Sequence, residues 1–164
     1  MKIPTNYRWR IVALLFFATT INYIDRQVLA QLKPYLSDNL DITESQYGYV
    51  VSAFQAAYAI GMLIAGRIID KYGTRISYAV SISIWSLAGC LHAAATGFLS
   101  LAGARFLLAI GESGNFPAAI KVTAEYFPKK DRAFATSIFN AGSTVGALAA
   151  PVSIPLLARY FKQI

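Results

Sequence analysis

Long uncharged runs separated by short charged segments dominate this chain. Residues Tyr47 to Gly66 form a run of 20 without a charge, and Ala133 to Ala158 form another of 26. At about 1.5 Å per residue, a helix of about 20 residues crosses a hydrocarbon core of about 30 Å. Each run therefore predicts one membrane-spanning helix.

The other apolar stretches complete a five-helix prediction. Ile76 to Ala104 is uncharged for 29 residues, more than one span needs, and Thr96-Gly97 is the natural break. Residues 9–32 stay largely apolar for too long to be a signal peptide, so we interpret them as a retained first helix. Asp41 to Glu44 offers residues that favour a helix start before the second span. The predicted spans are 9–32, 47–66, 76–95, 99–123 and 133–158.

Composition agrees with a membrane protein rather than a soluble domain. The chain is 56% hydrophobic and 14% charged, and its mean hydropathy is +0.47. The formal charge of +7 does not indicate nucleic-acid binding, because the basic residues lie between the apolar runs and not in one patch.

The basic residues also predict the orientation. With a cytoplasmic N-terminus, nine of them lie inside and three outside, as the positive-inside rule requires of a multi-pass inner-membrane protein. The nine are Lys2, Arg8, Arg10, Arg67, Lys71, Arg75, Lys129, Lys130 and Arg132, and the three are Lys33, Arg159 and Lys162.

Enzyme chemistry has little support in the sequence. Cys90 and His92 are the single cysteine and the single histidine, so neither a disulfide nor a Cys/His metal clamp is available within the chain. No nucleophile is paired with a base. We therefore expect neither an enzyme nor a metal or organic cofactor.

Four charges lie deep inside predicted spans, away from the span ends: Asp25, Arg26, Arg105 and Glu112. Each costs at least about 2.5 kcal/mol to bury in a bilayer, so each needs a reason. Helical rise places Asp25 about 22 Å beyond Arg10 and Arg105 about 9 Å into a helix that enters from outside. These depths agree, so we expect Asp25, Arg26 and Arg105 to share one pocket, with Glu112 two turns further inward.

Two interpretations of these charges stay open. In the first, the charges only neutralise one another and hold the bundle together. The functional alternative is favoured, since buried ionic groups stabilise proteins poorly. Arg26 and Arg105 would then bind an anionic substrate, and Glu112, or else Asp25, would carry a proton. A substrate role and a packing role remain open for three polar residues, which are Tyr58, Asn22 and Asn140.

One charged connection carries a recognisable motif. Gly66-Arg67-Ile68-Ile69-Asp70-Lys71-Tyr72-Gly73-Thr74-Arg75 resembles the G-x-x-x-D-x-x-G-x-[RK] cytoplasmic loop of the major facilitator superfamily. We expect both glycines to permit a tight connection and Asp70 to act with a helix N-terminus or an arginine, such as Arg75, as a breakable gate. A plain charged turn is the alternative.

Three further stretches narrow the resemblance. They are Asn22-Tyr23-Ile24-Asp25-Arg26, Arg105 with Gly111 to Lys121, and Glu125 to Arg132. Together they resemble the anion:cation symporter family, especially its hexuronate transporter branch. The resemblance implies an all-α integral membrane fold, proton coupling through Asp25 and Glu112, and a sugar-acid site lined by Arg26, Arg105 and Tyr58. Its partners would be the bilayer, protons and a small organic anion.

The resemblance also implies a longer protein. Members have twelve spans in two bundles with substrate between them, whereas this chain contains five. We expect the N-terminal portion of a proton-coupled symporter that works by alternating access. The alternative is a non-transporting membrane fragment that acts only with a partner chain. The reading frame downstream of Ile164 distinguishes these hypotheses.

The orientation can be tested with reporter fusions. We expect a reporter placed after Ile164 to report the outside and one inserted near Lys71 to report the cytoplasm. Both reporters on one side would contradict the five-span prediction.

Overall fold

The computed structural model describes residues 4–162, and every regular element within that range is helical. The helices are α1 (Thr5–Gln31), α2 (Lys33–Leu40), α3 (Glu44–Tyr72), α4 (Thr74–His92), α5 (Phe98–Ser113), α6 (Asn115–Tyr126) and α7 (Arg132–Lys162), with a short 3-10 turn at Lys129–Asp131. The all-α prediction is confirmed, and the break expected at Thr96-Gly97 lies in the connection between α4 and α5.

The helices form two compact units. Within residues 4–162, one contains residues 4–33 and 119–162, and the other contains residues 34–118. In the first unit α1 packs along α7, and in the second α5 packs against both α3 and α4.

In the second unit, α3 is longer than the uncharged run that predicted it. The Thr43 hydroxyl accepts a hydrogen bond from the Gln46 backbone N–H, and the Gln46 side chain accepts one from the Thr43 N–H. This capping box satisfies two helix-end donors and starts α3 at Glu44. The helix start expected between Asp41 and Glu44 is confirmed.

The charged connection after α3 is tighter than the motif predicts. Gly73 alone separates α3 from α4, and its φ of +81° lies in the region that favours glycine. Gly66 and Asp70 lie inside the last turns of α3, and Arg75 lies in the first turn of α4. The prediction that both glycines form the connection is therefore wrong for Gly66, since helical backbone continues through it to Tyr72.

The predicted fourth span is divided into two helices. α5 ends at Ser113 and α6 begins at Asn115. Pro117 explains the interruption, because a proline lacks the N–H that would bond the carbonyl of Ser113 four residues earlier, and its ring clashes with that carbonyl. The single helix expected over residues 99–123 is thus corrected to two.

Small residues let α5 approach its neighbours closely. A β-carbon added to Gly111 would lie 2.6 Å from the Trp85 backbone nitrogen, and one added to Gly61 would lie 2.5 Å from the Ser113 hydroxyl oxygen. These contacts hold α5 against α4 and α3. The Tyr78 hydroxyl also donates a 2.7 Å hydrogen bond to the Asn115 side-chain oxygen.

Glycines also allow close helix packing in the first unit. β-Carbons added to Gly142 and Gly146 would lie 2.5 Å from the carbonyl oxygens of Phe16 and Thr20, so α7 lies directly on the backbone of α1. Beyond α6, the Arg132 guanidinium donates hydrogen bonds to the carbonyl oxygens of Phe127 and Ala124. It satisfies acceptors that the end of a helix leaves open.

Two stretches among residues 4–162 are long and apolar enough to cross a membrane, by length and hydropathy alone. They are Glu44–Tyr72 and Lys129–Tyr160. The other three predicted spans remain predictions as membrane crossings, although each corresponds to helical backbone.

The close contact at Gly111 predicts how a substitution there changes the stability of the protein. Gly111→Ala places a methyl group against the Trp85 backbone, which cannot move aside as a flexible side chain can. We expect the variant to lose about 1 to 3 kcal/mol, the usual cost of overpacking, and to melt at lower temperature in detergent. Gly103→Ala is the matched control on α5, because an added β-carbon there meets nothing within 4 Å. Equal melting temperatures for the two variants would contradict the close contact.

Candidate functional site

Arg105 is the buried cation of the second unit. Only 5% of it is exposed, and its guanidinium carbon lies 5.0 Å from the centroid of the Phe54 ring. The Phe54 ring is nearly parallel to the Tyr58 ring, with centroids 6.2 Å apart and an interplanar angle of 8°. A desolvated cation over an aromatic face is worth about 2 kcal/mol. Arg105, Phe54 and Tyr58 thus form one cluster, which we call the arginine–aromatic cluster.

Helical spacing on α3 builds the aromatic side of this cluster. Phe54 and Tyr58 are four residues apart, so both lie on one face of the helix. Two turns along α3 from Phe54, Gly61 contacts Ser113 and holds α3 against α5. The α3–α5 packing therefore places the aromatic pair beside Arg105.

Glu112 follows Arg105 on α5 and is completely buried. Seven residues separate them, so they lie on approximately the same face and about 10 Å apart along the axis. Glu112 is next to Gly111, whose contact with Trp85 fixes this turn of α5 against α4. The structure thus confirms burial of both charges but does not test their roles.

The first unit holds the other predicted polar group, on α1. Asn22 is 1% exposed, and neither polar atom of its side chain has a hydrogen-bond partner among residues 4–162. One turn later, Asp25 and Arg26 are half-buried, and the Arg26 guanidinium carbon lies 5.1 Å from the centroid of the Tyr23 ring. Asn140, on α7, is exposed.

The predicted residues thus fall into separate groups. Tyr58 and Arg105 are brought together through Phe54, and Glu112 lies further along α5. Asn22, Asp25 and Arg26 belong to the first unit. The expectation that Asp25, Arg26 and Arg105 share one pocket stays a prediction.

The aromatic partners of Arg26 and Arg105 were not among the residues predicted from the sequence. Phe54 stacks with Tyr58 and lies beneath Arg105, and Tyr23 lies beside Arg26. The four-residue spacing of Phe54 and Tyr58 was a detectable signal for the first. Nothing local in the sequence shows which ring an arginine on another helix will meet.

No cluster of three or more His, Cys, Asp and Glu side chains suited to a metal ion occurs among residues 4–162. The candidate site residues named above offer guanidinium, carboxyl, phenol and amide groups. Guanidinium groups bind anions, carboxyl groups take up and release protons, and phenol and amide groups form hydrogen bonds.

Comparison with known proteins places these features in a family. Residues 15–162 match the family model of the Major Facilitator Superfamily. The chain is 36% identical over 151 residues to the hexuronate transporter of Escherichia coli K12, an alignment covering 92% of this chain and 35% of that protein. It is 35% identical over 144 residues to the galacturonate transporter of Dickeya chrysanthemi, covering 88% and 42%.

A solved structure agrees with the sequence relatives. The bacterial homologue of the human lysosomal transporter Spinster, in its inward-facing and occupied conformation, matches 90% of this chain with a TM-score of 0.86 and 28% identity. The match covers 32% of that structure's chain. This chain spans between about a third and two fifths of the length of the curated relatives described here. These relatives are transporters and not enzymes, and transporters of this superfamily need no cofactor. The chain is therefore an all-α integral membrane protein that belongs to the major facilitator superfamily.

Proposed function

We propose that the complete protein containing this chain carries a hexuronate or related sugar acid across the inner membrane by proton-coupled symport. Alternating access of two bundles around a midplane site is the mechanism we infer from the family. The chain would contribute the N-terminal helices, with the N-terminus in the cytoplasm, and the remaining helices or a partner chain would complete the site.

The observation that carries this proposal is the burial of Arg105 against Phe54. Arg105 is 5% exposed, its guanidinium is a planar group of donors, and the Phe54 ring lies over one face of that group. A carboxylate accepts two parallel hydrogen bonds from such a group, which fixes both its position and its orientation. Tyr58 extends the same cluster with a hydroxyl that can bond a sugar hydroxyl.

The names of the relatives agree with that chemistry. Hexuronates, including galacturonate, are sugar acids that bear one carboxylate and several hydroxyl groups, and the two relatives are named as transporters of these compounds. We therefore assign Arg105 to the carboxylate. Arg26, with Tyr23 beside it, is proposed as a second cationic contact, and Asn22 and Asn140 as hydrogen-bonding contacts.

Proton coupling is assigned to Glu112 first and to Asp25 second. Glu112 is completely buried, whereas Asp25 is half-buried and adjacent to Arg26. We rank Glu112 first because its carboxyl is removed from solvent on the helix that bears Arg105, whereas the carboxyl of Asp25 has a guanidinium next to it in the sequence.

Glu112→Gln in the complete protein tests the proton assignment. Glutamine keeps the shape and hydrogen-bonding capacity of a protonated glutamate but cannot release a proton. We expect uptake driven by a proton gradient to be abolished, while substrate binding and substrate exchange remain measurable. Glu125→Gln is the matched control, because Glu125 is exposed on α6. Unchanged gradient-driven uptake in Glu112→Gln would move the role to Asp25 or elsewhere.

Arg105→Lys tests the anion assignment while conserving charge. Lysine offers no planar pair of donors, and losing a charge-assisted hydrogen bond costs about 1.5 to 3 kcal/mol, so we expect galacturonate affinity to fall about tenfold or more. The measurement is a binding titration on purified protein, with Arg26→Lys beside it. Arg159→Lys, which changes an exposed residue of α7, controls for the substitution itself. Equal affinity in all four proteins would leave only a structural role for Arg26 and Arg105.

A further inference from the structure

An apolar groove runs along the second unit, on a face that the proposed transport chemistry does not use. α5 closes it with Phe106 and Ile110, and its volume is about 570 Å³. One wall is a row of α3 side chains spaced one turn apart, namely Ile60, Ile64, Ile68 and Tyr72. The facing wall is a similar row on α4, namely Ile76, Val80 and Ile84. We call this feature the α3–α4 groove.

The groove exists because its floor is built of small residues. Gly61, Ala65 and Gly114 lie between the walls. A β-carbon on Gly61 would collide with Ser113, and one on Gly114 would collide with Ser81, so the helices beneath are already in contact. The tall walls above this floor remain exposed, with Ile60 at 59% and Ile76 at 62%. The floor cannot collapse further to bury them.

The length of the groove suits an extended hydrocarbon chain. From Ala57 to Tyr72 it follows α3 for about 22 Å, most of the roughly 30 Å thickness of a hydrocarbon core. An elongated apolar groove of this length accommodates one extended acyl chain along α3.

One end of the groove is basic. Arg67 and Lys71 precede two wall residues, Ile68 and Tyr72, and both basic side chains are exposed. The Lys71 ammonium nitrogen lies 5.2 Å from the centroid of the Tyr72 ring, which places this cation at the mouth of the groove. Arg75, also exposed, adds a third positive charge, and Asp70 is the acidic residue at the same end.

The side chains that line the groove itself are uncharged. An apolar channel that ends in basic residues and an interfacial tyrosine matches a lipid with an anionic headgroup. We propose that the α3–α4 groove is a binding site for an anionic phospholipid. One acyl chain lies between the isoleucine walls, and the phosphate is bound at Arg67 and Lys71.

Native mass spectrometry of the purified complete protein tests this site. The probes are phosphatidylglycerol and phosphatidylcholine with identical acyl chains. We expect phosphatidylglycerol to bind about tenfold more tightly or better, since each basic residue near a lipid surface contributes about fivefold. The double variant Arg67→Gln, Lys71→Gln should lose that preference and keep its phosphatidylcholine affinity. The double variant Lys129→Gln, Lys130→Gln, which changes exposed residues outside the groove, should behave as the parent.

A second substitution tests the acyl-chain contact. Val80→Trp fills the groove and should weaken binding of both lipids by about fivefold or more, whereas Leu87→Trp, exposed on α4 outside the groove, should weaken neither. Equal binding of the two lipids by the parent protein, or unchanged binding by both groove variants, would overturn the proposal. A dimer of the parent that Val80→Trp disperses would overturn it too, by identifying a second copy as the occupant. If Val80→Trp does not fold, the two double variants, Arg67→Gln with Lys71→Gln and Lys129→Gln with Lys130→Gln, test the lipid site on their own.

Discussion

The packing of the second unit depends on two charged side chains that are buried on one helix. Arg105 and Glu112 lie on the same face of α5, and each would cost several kcal/mol in an apolar environment without compensation. The helix can carry them because its neighbours come very close. Phe54 covers the guanidinium, and the Gly111 contact with Trp85 leaves no space beside the turn that bears Glu112. Burying charges lowers the stability of a protein, so buried charges are expected mainly where they perform a function.

The same close packing gives α5 a second surface. Phe106 and Ile110 are four residues apart on a different face from Arg105 and Glu112, and they contribute to the apolar groove. Gly61 and Gly114 serve both surfaces, since they bring the helices together and leave the groove floor low. One set of small residues thus supports both a charged, buried face and an apolar, exposed face of α5.

The first unit follows the same rule with different residues. Gly142 and Gly146 rest on backbone carbonyl oxygens of α1, the helix that carries Asn22, Asp25 and Arg26. Membrane helices have little hydrophobic force to bring them together, so close backbone contact and van der Waals packing take its place. In both units, glycine on one helix meets backbone or a small side chain on another, next to the polar residues proposed for transport.

The sequence by itself determined the helical class, the burial of Arg105 and Glu112, and the resemblance to the superfamily. These follow from local properties: the length of uncharged runs, the cost of charge in a bilayer, and the Gly66 to Arg75 motif. Tertiary structure alone decided that Gly66 is helical, that Phe54 covers Arg105, and that three helices leave a groove. The physical reason is that helical periodicity fixes which residues share a face, whereas the partner of that face depends on how closely another helix can approach. That approach is set by pairs such as Gly111 and Trp85, which lie far apart along the chain.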